Sequence, residues 1–482
     1  MSLRKRTFSA VRWTTAGSIS KALLQLIQLA ILARILSPSD YGLMALVLIV
    51  MGFAALFSDF GLNSAFVQRR NVTEEQRSSL YWLNVSISFG LMLFVIAISP
   101  ILAWFFDNSE LIPLVILSST SFVFAALGIQ VRMAAEKALR FRPVMIVEVI
   151  ASIIGLLSAV IAALYGLGVY SLVVGMLVST IATTIMLWIY VSSGWRPMLR
   201  MKLDDVKSFL GFGGALVANN IVNHFNLTID LLLGGRMLAA TQLGLYSVPK
   251  ELVLRIQSVV NPIITRFAFP LISEVQNDVK RVRLIYLQTV NMTASINAPI
   301  YIGIAFFAPE FVSILLGDGW EGSIQLLQIL AVWGALRSTG NPVGSLLLGM
   351  GRADLSLKWN LSLLFIVPPV ILYGSKFGAV GMAWALLLMT IILFIPGWYV
   401  LVRPLCHAKL LEYSIAALRP FAISVIAVFP AYLYANNFHN EIVKILIGLI
   451  IAAPLYMALS YLANKRWIDA MRELVFKKPS TI

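Results

Sequence analysis

The sequence has very few of the residues that build disulfides and metal sites. Its 482 residues include one cysteine, Cys406, and three histidines. A single cysteine cannot form an intrachain disulfide, and one cysteine with three scattered histidines cannot supply an all-Cys/His zinc site. We therefore expect neither a metal centre nor a bound cofactor.

Charged residues are also scarce. Asp, Glu, Lys and Arg make up 12% of the chain and hydrophobic residues make up 59%, whereas a soluble protein carries about 25% charged residues. This composition predicts an integral membrane protein. The basic N-terminus leads into an apolar stretch that contains Lys21 and has no A-x-A cleavage site, so we interpret it as a retained first span rather than a signal peptide.

Long apolar segments fill the rest of the chain. Crossing a hydrocarbon core takes roughly 20 apolar residues, and about 14 segments qualify. The fold class is therefore predicted to be all-α, as a polytopic membrane protein. The predicted spans are about 13–36, 41–67, 79–105, 111–131, 143–165, 169–191, 208–233, 241–270, 284–308, 322–349, 355–374, 378–402, 414–435 and 442–464.

The positions of the basic residues support this count of spans. Most of the 37 Lys and Arg residues fall in alternate connections, while the connections on the other side hold only Arg236, Lys376 and Lys444. Short cytoplasmic loops accumulate Lys and Arg, so both termini are predicted to be cytoplasmic. The net charge of +15 is thereby explained by topology, and we expect no nucleic acid partner.

A short internal repeat divides the spans into two sets. RILSPSDYGL at residues 34–43 joins the first two spans, and RMLAATQLGL at residues 236–245 joins the seventh and eighth. An even number of spans between copies indicates parallel repeats. We therefore predict an N-terminal lobe (1–200), a C-terminal lobe (201–405) and two further spans with a basic tail (406–482), with the substrate site between the lobes.

Polar side chains form a stripe in the first span of each lobe. Spacings of three and four residues place each set on one helical face. The stripes predict a hydrated cavity; the alternative is that these groups only hydrogen-bond neighbouring helices. The residues are Thr14, Ser18, Lys21, Gln25 and Gln28 in the first span, and Asn219, Asn223, Asn226 and Asp230 in the seventh.

Several charged residues lie deep inside predicted spans. A charge at mid-membrane costs about 2.5–3.5 kcal/mol on insertion scales, so such residues normally face a bundle interior or a wet cavity. Lys21, Lys250, Arg255 and Arg337 are predicted to form a cationic substrate-binding lining, to which Asn341 adds a polar group beside a kink at Pro342. The candidates for ion coupling are Asp59, Asp230 and Glu148.

Particular stretches resemble the Wzx-type polysaccharide flippases, in the colanic acid and teichuronic acid exporter branch of the multidrug/oligosaccharidyl-lipid/polysaccharide superfamily. They are SPSDYGLMAL, SDFGLNSAFVQRR, LYWLNV, NPIITRFAFPLISEVQ and LRSTGNPVGSLLLGMGRADLSLKWN.

The resemblance implies two six-helix lobes around a central cavity, two C-terminal helices, and alternating access driven by a proton or sodium gradient. The implied cargo is an oligosaccharide repeat unit on undecaprenyl pyrophosphate, moved across the bacterial inner membrane. The implied partners are this polyprenyl-linked glycan, membrane lipids, and a polysaccharide polymerase with its chain-length machinery.

Two alternative functions stay open at this stage. A drug/cation antiporter of the same superfamily would need a lumen dominated by acids, whereas the deep charges of the second half are mainly basic. A membrane-embedded glycan polymerase or ligase would need a large external loop, and the longest external connection predicted is about residues 309–322. We therefore expect a transporter and not an enzyme.

Overall fold

The computed structural model describes residues 3–59, 66, 69, 72–202, 214–465 and 467–469, and within these ranges it contains helices and no strand. Within these ranges, each predicted span overlaps one or more helices. The helices of the first half of the chain are α1 (Leu3–Leu32), α2 (Pro38–Asp59), α3 (Glu74–Phe106), α4 (Leu111–Lys137), α5 (Phe141–Leu164), α6 (Tyr170–Tyr190) and α7 (Gly214–Met237).

The second half has more interruptions. Its helices are α8 (Ala240–Glu274), α9 (Val279–Phe306), α10 (Ala308–Leu315), α11 (Gly322–Gly340), α12 (Pro342–Gly349), α13 (Ala353–Ser375), α14 (Gly378–Ile392), α15 (Phe394–Gly397), the π-helix π1 (Trp398–Val402), α16 (Arg403–Cys406), α17 (Leu410–Ala435) and α18 (Glu441–Ala463).

The chain is a multi-pass membrane protein. Among the described residues, nine helices are long and apolar enough to cross a membrane, or twelve if each of three bent helix pairs counts as one span. Helices α7 and α11, which coincide with the seventh and tenth predicted spans, do not meet this criterion. The all-α fold is therefore confirmed, while the count of fourteen spans stays a prediction.

By residue contacts, the chain forms two compact units, Met1–Gly244 and Leu245–Ile482. In the first unit, α5 and α6 approach closely through small residues. A Cβ added at Gly155 would lie 2.6 Å from Ser179 Cβ, and one added at Gly175 would lie 2.7 Å from Ala159 Cβ. Close backbone approach through small residues is the usual way that membrane helices pack, because apolar side chains gain nothing by leaving lipid.

In the second unit, several spans are broken. Helices α9 and α10 meet at an angle of 79°. Helix α11 ends at Gly340, Asn341 follows, and α12 begins at Pro342. The helix is thus interrupted at the place where a kink was predicted, since a proline lacks the N–H that would continue the helix. Near the end of the predicted twelfth span, π1 follows α15 directly, which the sequence did not indicate.

Candidate functional site

An ionic cluster joins three helices of the first unit. Lys21 Nζ of α1 lies 2.7 Å from Glu148 Oε2 of α5, and an Arg132 terminal nitrogen of α4 lies 3.1 Å from Glu148 Oε1. Arg132 Nε also lies 2.8 Å from Glu136 Oε1, one turn along α4. Two cations therefore share the one buried carboxylate of Glu148, which keeps both positive charges compensated at low dielectric.

The structure thus brings together two residues that the sequence had given different roles, Lys21 for substrate and Glu148 for ion coupling. It also adds Arg132 and Glu136, which the sequence analysis missed. The predicted fourth span ends at residue 131, which leaves Arg132 in a connection, but α4 continues to Lys137. Arg132 and Glu136 are four residues apart, a spacing typical of ion pairs on a helix. This spacing is the sequence signal that could have indicated a longer helix.

The polar stripe of α1 leaves amide groups accessible. Gln25 is exposed and Gln28 is half-buried, and neither side chain hydrogen-bonds another residue in the part of the chain that the structure describes. Thr14 Oγ1 donates only to the backbone oxygen of Ala10, at 2.8 Å. If the stripe served only to bind neighbouring helices, hydrogen bonds to those helices would be expected. Apart from Lys21, which pairs with Glu148, the stripe of α1 therefore fits a surface that meets water or a polar ligand.

The stripe of α7 is more mixed. Asn223 is exposed, Asn226 is half-buried, and Asp230 is 2% exposed. The neighbouring His224 packs its ring edge against Phe53 of α2, at 5.0 Å between ring centroids. The side chains of Asn219 and Asp59 lie outside the described part of the chain, so their predicted roles stay predictions.

Three of the predicted cations lie in the second unit, on α8 and α11. Lys250 is 2% exposed, and Arg255 forms an ion pair with Glu251 on the same face of α8. The Arg337 guanidinium carbon lies 5.2 Å from the centre of the Trp333 ring on α11. A cation over an aromatic face is held by the ring quadrupole, so Arg337 has a defined position rather than a free side chain.

A buried polar network surrounds this part of the second unit. Asn297 Nδ2 donates to Asn261 Oδ1 at 2.9 Å, and Asn261 Nδ2 donates to the Ser338 backbone oxygen at 3.4 Å. The Tyr301 hydroxyl donates to the Val253 backbone oxygen at 2.8 Å. These three hydrogen bonds tie α8, α9 and α11 together, which fixes the helices that carry the cations. Asn341 is exposed at the break between α11 and α12.

No group of three or more His, Cys, Asp or Glu side chains in the described ranges is arranged to hold a metal ion. The arrangement offers deep cations, accessible amides and a few buried carboxylates. Such groups can bind anions and polar ligands and can exchange protons, but they do not form a nucleophile–base pair.

The sequence of this chain matches a known protein family. The family described as "Polysaccharide biosynthesis protein" matches residues 31–325. The chain belongs to this family.

Two curated relatives in the same functional area cover almost the whole chain. This chain is 30% identical over 426 residues to the lipopolysaccharide biosynthesis protein WzxC of Escherichia coli (strain K12), and the match covers 88% of this chain and 87% of that protein. It is 28% identical over 432 residues to the teichuronic acid biosynthesis protein TuaB of Bacillus subtilis (strain 168), covering 88% of each. The resemblance found in the sequence motifs is thereby confirmed.

The fold of this polysaccharide biosynthesis protein also has a solved counterpart. The lipid II flippase MurJ, in an inward closed conformation, superposes with a TM-score of 0.73 at 14% sequence identity, covering 95% of this chain and 100% of that one. At this identity the likeness shows the fold alone.

Proposed function

We propose that the chain is a flippase that moves a lipid-linked oligosaccharide across the bacterial inner membrane for polysaccharide biosynthesis. The observation that carries the proposal is the match, along almost the full length of both chains, to relatives named for lipopolysaccharide and teichuronic acid biosynthesis. The protein is a transporter and not an enzyme. We further propose that both termini face the cytoplasm, in agreement with the distribution of basic residues.

The cationic groups of α8 and α11 suit the charged part of such a cargo. A pyrophosphate between lipid and glycan carries negative charge, and a pair of opposite unit charges 4 Å apart is worth about 4 kcal/mol at an effective dielectric of 20 but about 1 kcal/mol in water. Lys250, Arg255 and Arg337 are proposed to supply this attraction, with Lys21 of α1 as a further cation. The amides of Gln25, Gln28, Asn223 and Asn226 would hydrogen-bond sugar hydroxyls.

Release of the cargo needs a second input, and we propose that a proton or sodium gradient supplies it. Glu148 and Asp230 are the described acids that suit this role, because both are almost fully buried. Neutralising Glu148 would leave the charge of Lys21 uncompensated and Arg132 with Glu136 alone, so protonation there would change how α1, α4 and α5 are held together. A differential interaction of this kind is what allows an ion to shift a conformational equilibrium.

The drug/cation antiporter is the weaker alternative. It would need acids at the positions where α8 and α11 carry Lys250 and Arg337. The proposed partners beyond the glycan itself are membrane lipids, together with the polymerase and chain-length machinery that would use the exported unit.

Deletion of the gene in its own organism tests the proposed function. We expect loss of one surface polysaccharide and accumulation of its lipid-linked repeat unit, both restored by the intact gene. A deletion strain with normal surface polysaccharides and increased sensitivity to cationic drugs would instead support the antiporter.

A further inference from the structure

A small polar cavity lies at one end of the first unit, where two helices end side by side. It has a volume of about 260 Å³ and lies between the end of α3 and the connection from α7 to α8. Its wall includes Asp107, Asn108, Arg236 and Ala239. In the predicted topology this end of the unit faces outward, away from the basic loops.

Asp107 and Arg236 carry opposite charges in this one cavity without binding each other. Within the described ranges, neither side chain forms an ion pair or a side-chain hydrogen bond. Both residues are exposed. The acids Glu136 and Glu148 of the same unit, in contrast, are paired with cations. The cavity therefore presents one free carboxylate and one free guanidinium to whatever enters it.

The backbone adds hydrogen-bond acceptors. Helix α3 ends at Phe106, and Asp107 follows in the left-handed conformation with φ 54° and ψ 40°. Helix α7 ends at Met237 beside it. The last carbonyl groups of a helix have no partner within the helix and carry partial negative charge. The wall therefore offers acceptors from Asp107 and the ends of α3 and α7, and donors from Arg236 and from the first backbone N–H groups of α8, which begins at Ala240.

This lining disfavours simple ions. The Arg236 guanidinium and the N-terminus of α8 repel a small cation, and the Asp107 carboxylate with the C-termini of α3 and α7 repels an anion. A neutral ring with several hydroxyl groups satisfies both sets of groups, because each hydroxyl donates one hydrogen bond and accepts others.

The volume suits one such ring. A water molecule occupies about 30 Å³ of liquid, so the cavity corresponds to roughly nine waters, and it is smaller than the roughly 300 Å³ at which pockets for drug-sized ligands begin. We propose that this cavity is a binding subsite for one neutral pyranose ring of the exported glycan, on the outward side of the first unit. The proposal rests on the proposed function, since it takes its ligand from the same cargo.

The only native cysteine, Cys406, is fully buried, so a thiol reagent is expected to label only a cysteine that is introduced at an accessible position. Ala239→Cys places an accessible thiol in the cavity wall with little change in volume. The full-length protein in nanodiscs is labelled with a small thiol reagent, with and without methyl glucoside, methyl galactoside and their N-acetylamino counterparts. We expect at least one sugar to slow labelling saturably, by about twofold when its concentration equals its Kd.

Matched variants localise the effect. Asp107→Asn removes the negative charge but keeps a residue that tolerates the left-handed conformation. Arg236→Gln removes the guanidinium with its N–H donors. Each variant should abolish the protection. Glu110→Gln changes an exposed acid outside the cavity wall, three residues away, and should leave protection intact. Met237→Cys serves as a second reporter if Ala239→Cys does not yield monodisperse protein.

Three outcomes would overturn the subsite. They are no protection by any sugar, equal protection by sorbitol at the same concentration, and stronger protection by glycerophosphoethanolamine, which would show a zwitterion site. Failure of the flippase function is separable, because it is measured by accumulation of the lipid-linked unit in the deletion strain and not by labelling.

Discussion

Glu148 Oε2 accepts a hydrogen bond from Lys21 Nζ at 2.7 Å, although 127 positions separate the two residues in the sequence. The same carboxylate also lies 3.1 Å from Arg132. One acid therefore connects three helices of the first unit, and its charge state controls how two cations are compensated.

Replacement of this acid is expected to destabilise the protein. Glu148→Gln leaves Lys21 and Arg132 without their shared partner, which should cost about 1–3 kcal/mol, less than a fully buried pair because Lys21 is partly exposed. Glu136→Gln removes only a pair one turn apart on α4, worth about 0.3–0.5 kcal/mol. Thermal unfolding in detergent, followed by fluorescence, measures both. Equal effects of the two variants would contradict the central role of Glu148.

The coupling acid can be identified by gradient dependence. If Glu148 couples, Glu148→Gln should export at a low rate that no longer responds to an imposed proton or sodium gradient, while Asp230→Asn keeps its response. The reverse pattern would assign coupling to Asp230. Transport in vesicles with each gradient imposed separately distinguishes the two, and unchanged responses in both variants would contradict a role for either acid.

Arg337 is expected to matter for transport more than for folding. Arg337→Ala removes a cation held 5.2 Å from the Trp333 ring, and losing about 1.4 kcal/mol of attraction to the pyrophosphate would lower export about tenfold. Complementation of the deletion strain measures this at matched protein levels. Lys376→Ala, an exposed cation in a predicted external connection, is the control and should export normally. Normal export by Arg337→Ala would remove this residue from the site.

The amide pair of the second unit is expected to be structural. Asn297→Ala leaves the buried Asn261 amide without its side-chain partner, which should cost about 1–3 kcal/mol and lower Tm by several degrees. Asn341→Ala alters an exposed amide at a helix break and should leave Tm unchanged. A Tm unaffected by Asn297→Ala would show that the hydrogen bond adds nothing to stability.

The close contact of α5 and α6 gives a steric prediction. Gly155→Val would place its Cβ 2.6 Å from Ser179 Cβ and 2.8 Å from the Gly175 backbone oxygen, so the two helices must separate and the protein should express poorly. Gly90→Val is the matched control, because a Cβ there meets nothing within 4 Å. Yield of monodisperse protein after size-exclusion chromatography measures the difference, and equal yields would contradict the packing.

Much of the fold was predictable because membrane spans must be long and apolar. Even the seventh and tenth predicted spans, which fail the hydropathy criterion, overlap helices: α7 in the first case, and α11 with α12 in the second. Helix ends were less predictable, because they depend on local capping. Helix α3 begins at Glu74 because Thr73 and Gln76 form a capping box, five residues before the apolar run of the predicted span begins.

The site was predictable as a set of residues but not as a set of contacts. Lys21 and Glu148 could be singled out because a charge inside a membrane span costs free energy. Their pairing depends on how α1 packs against α5, which the periodicity of the sequence does not specify. The cavity beside Asp107 and Arg236 was missed for the same reason. Asp107 follows the end of α3 and Arg236 lies in the last turn of α7, and only the neighbouring ends of these two helices bring the residues together.

The most direct test of the proposed function is the sidedness of the lipid-linked oligosaccharide. Inner-membrane vesicles of defined orientation are prepared from cells with the chain, without it, and with Arg337→Ala, and the fraction of the repeat unit open to an impermeant glycosidase on the outer face is measured. We expect a large outer fraction only with the intact chain. An outer fraction that is the same with and without the chain would contradict it.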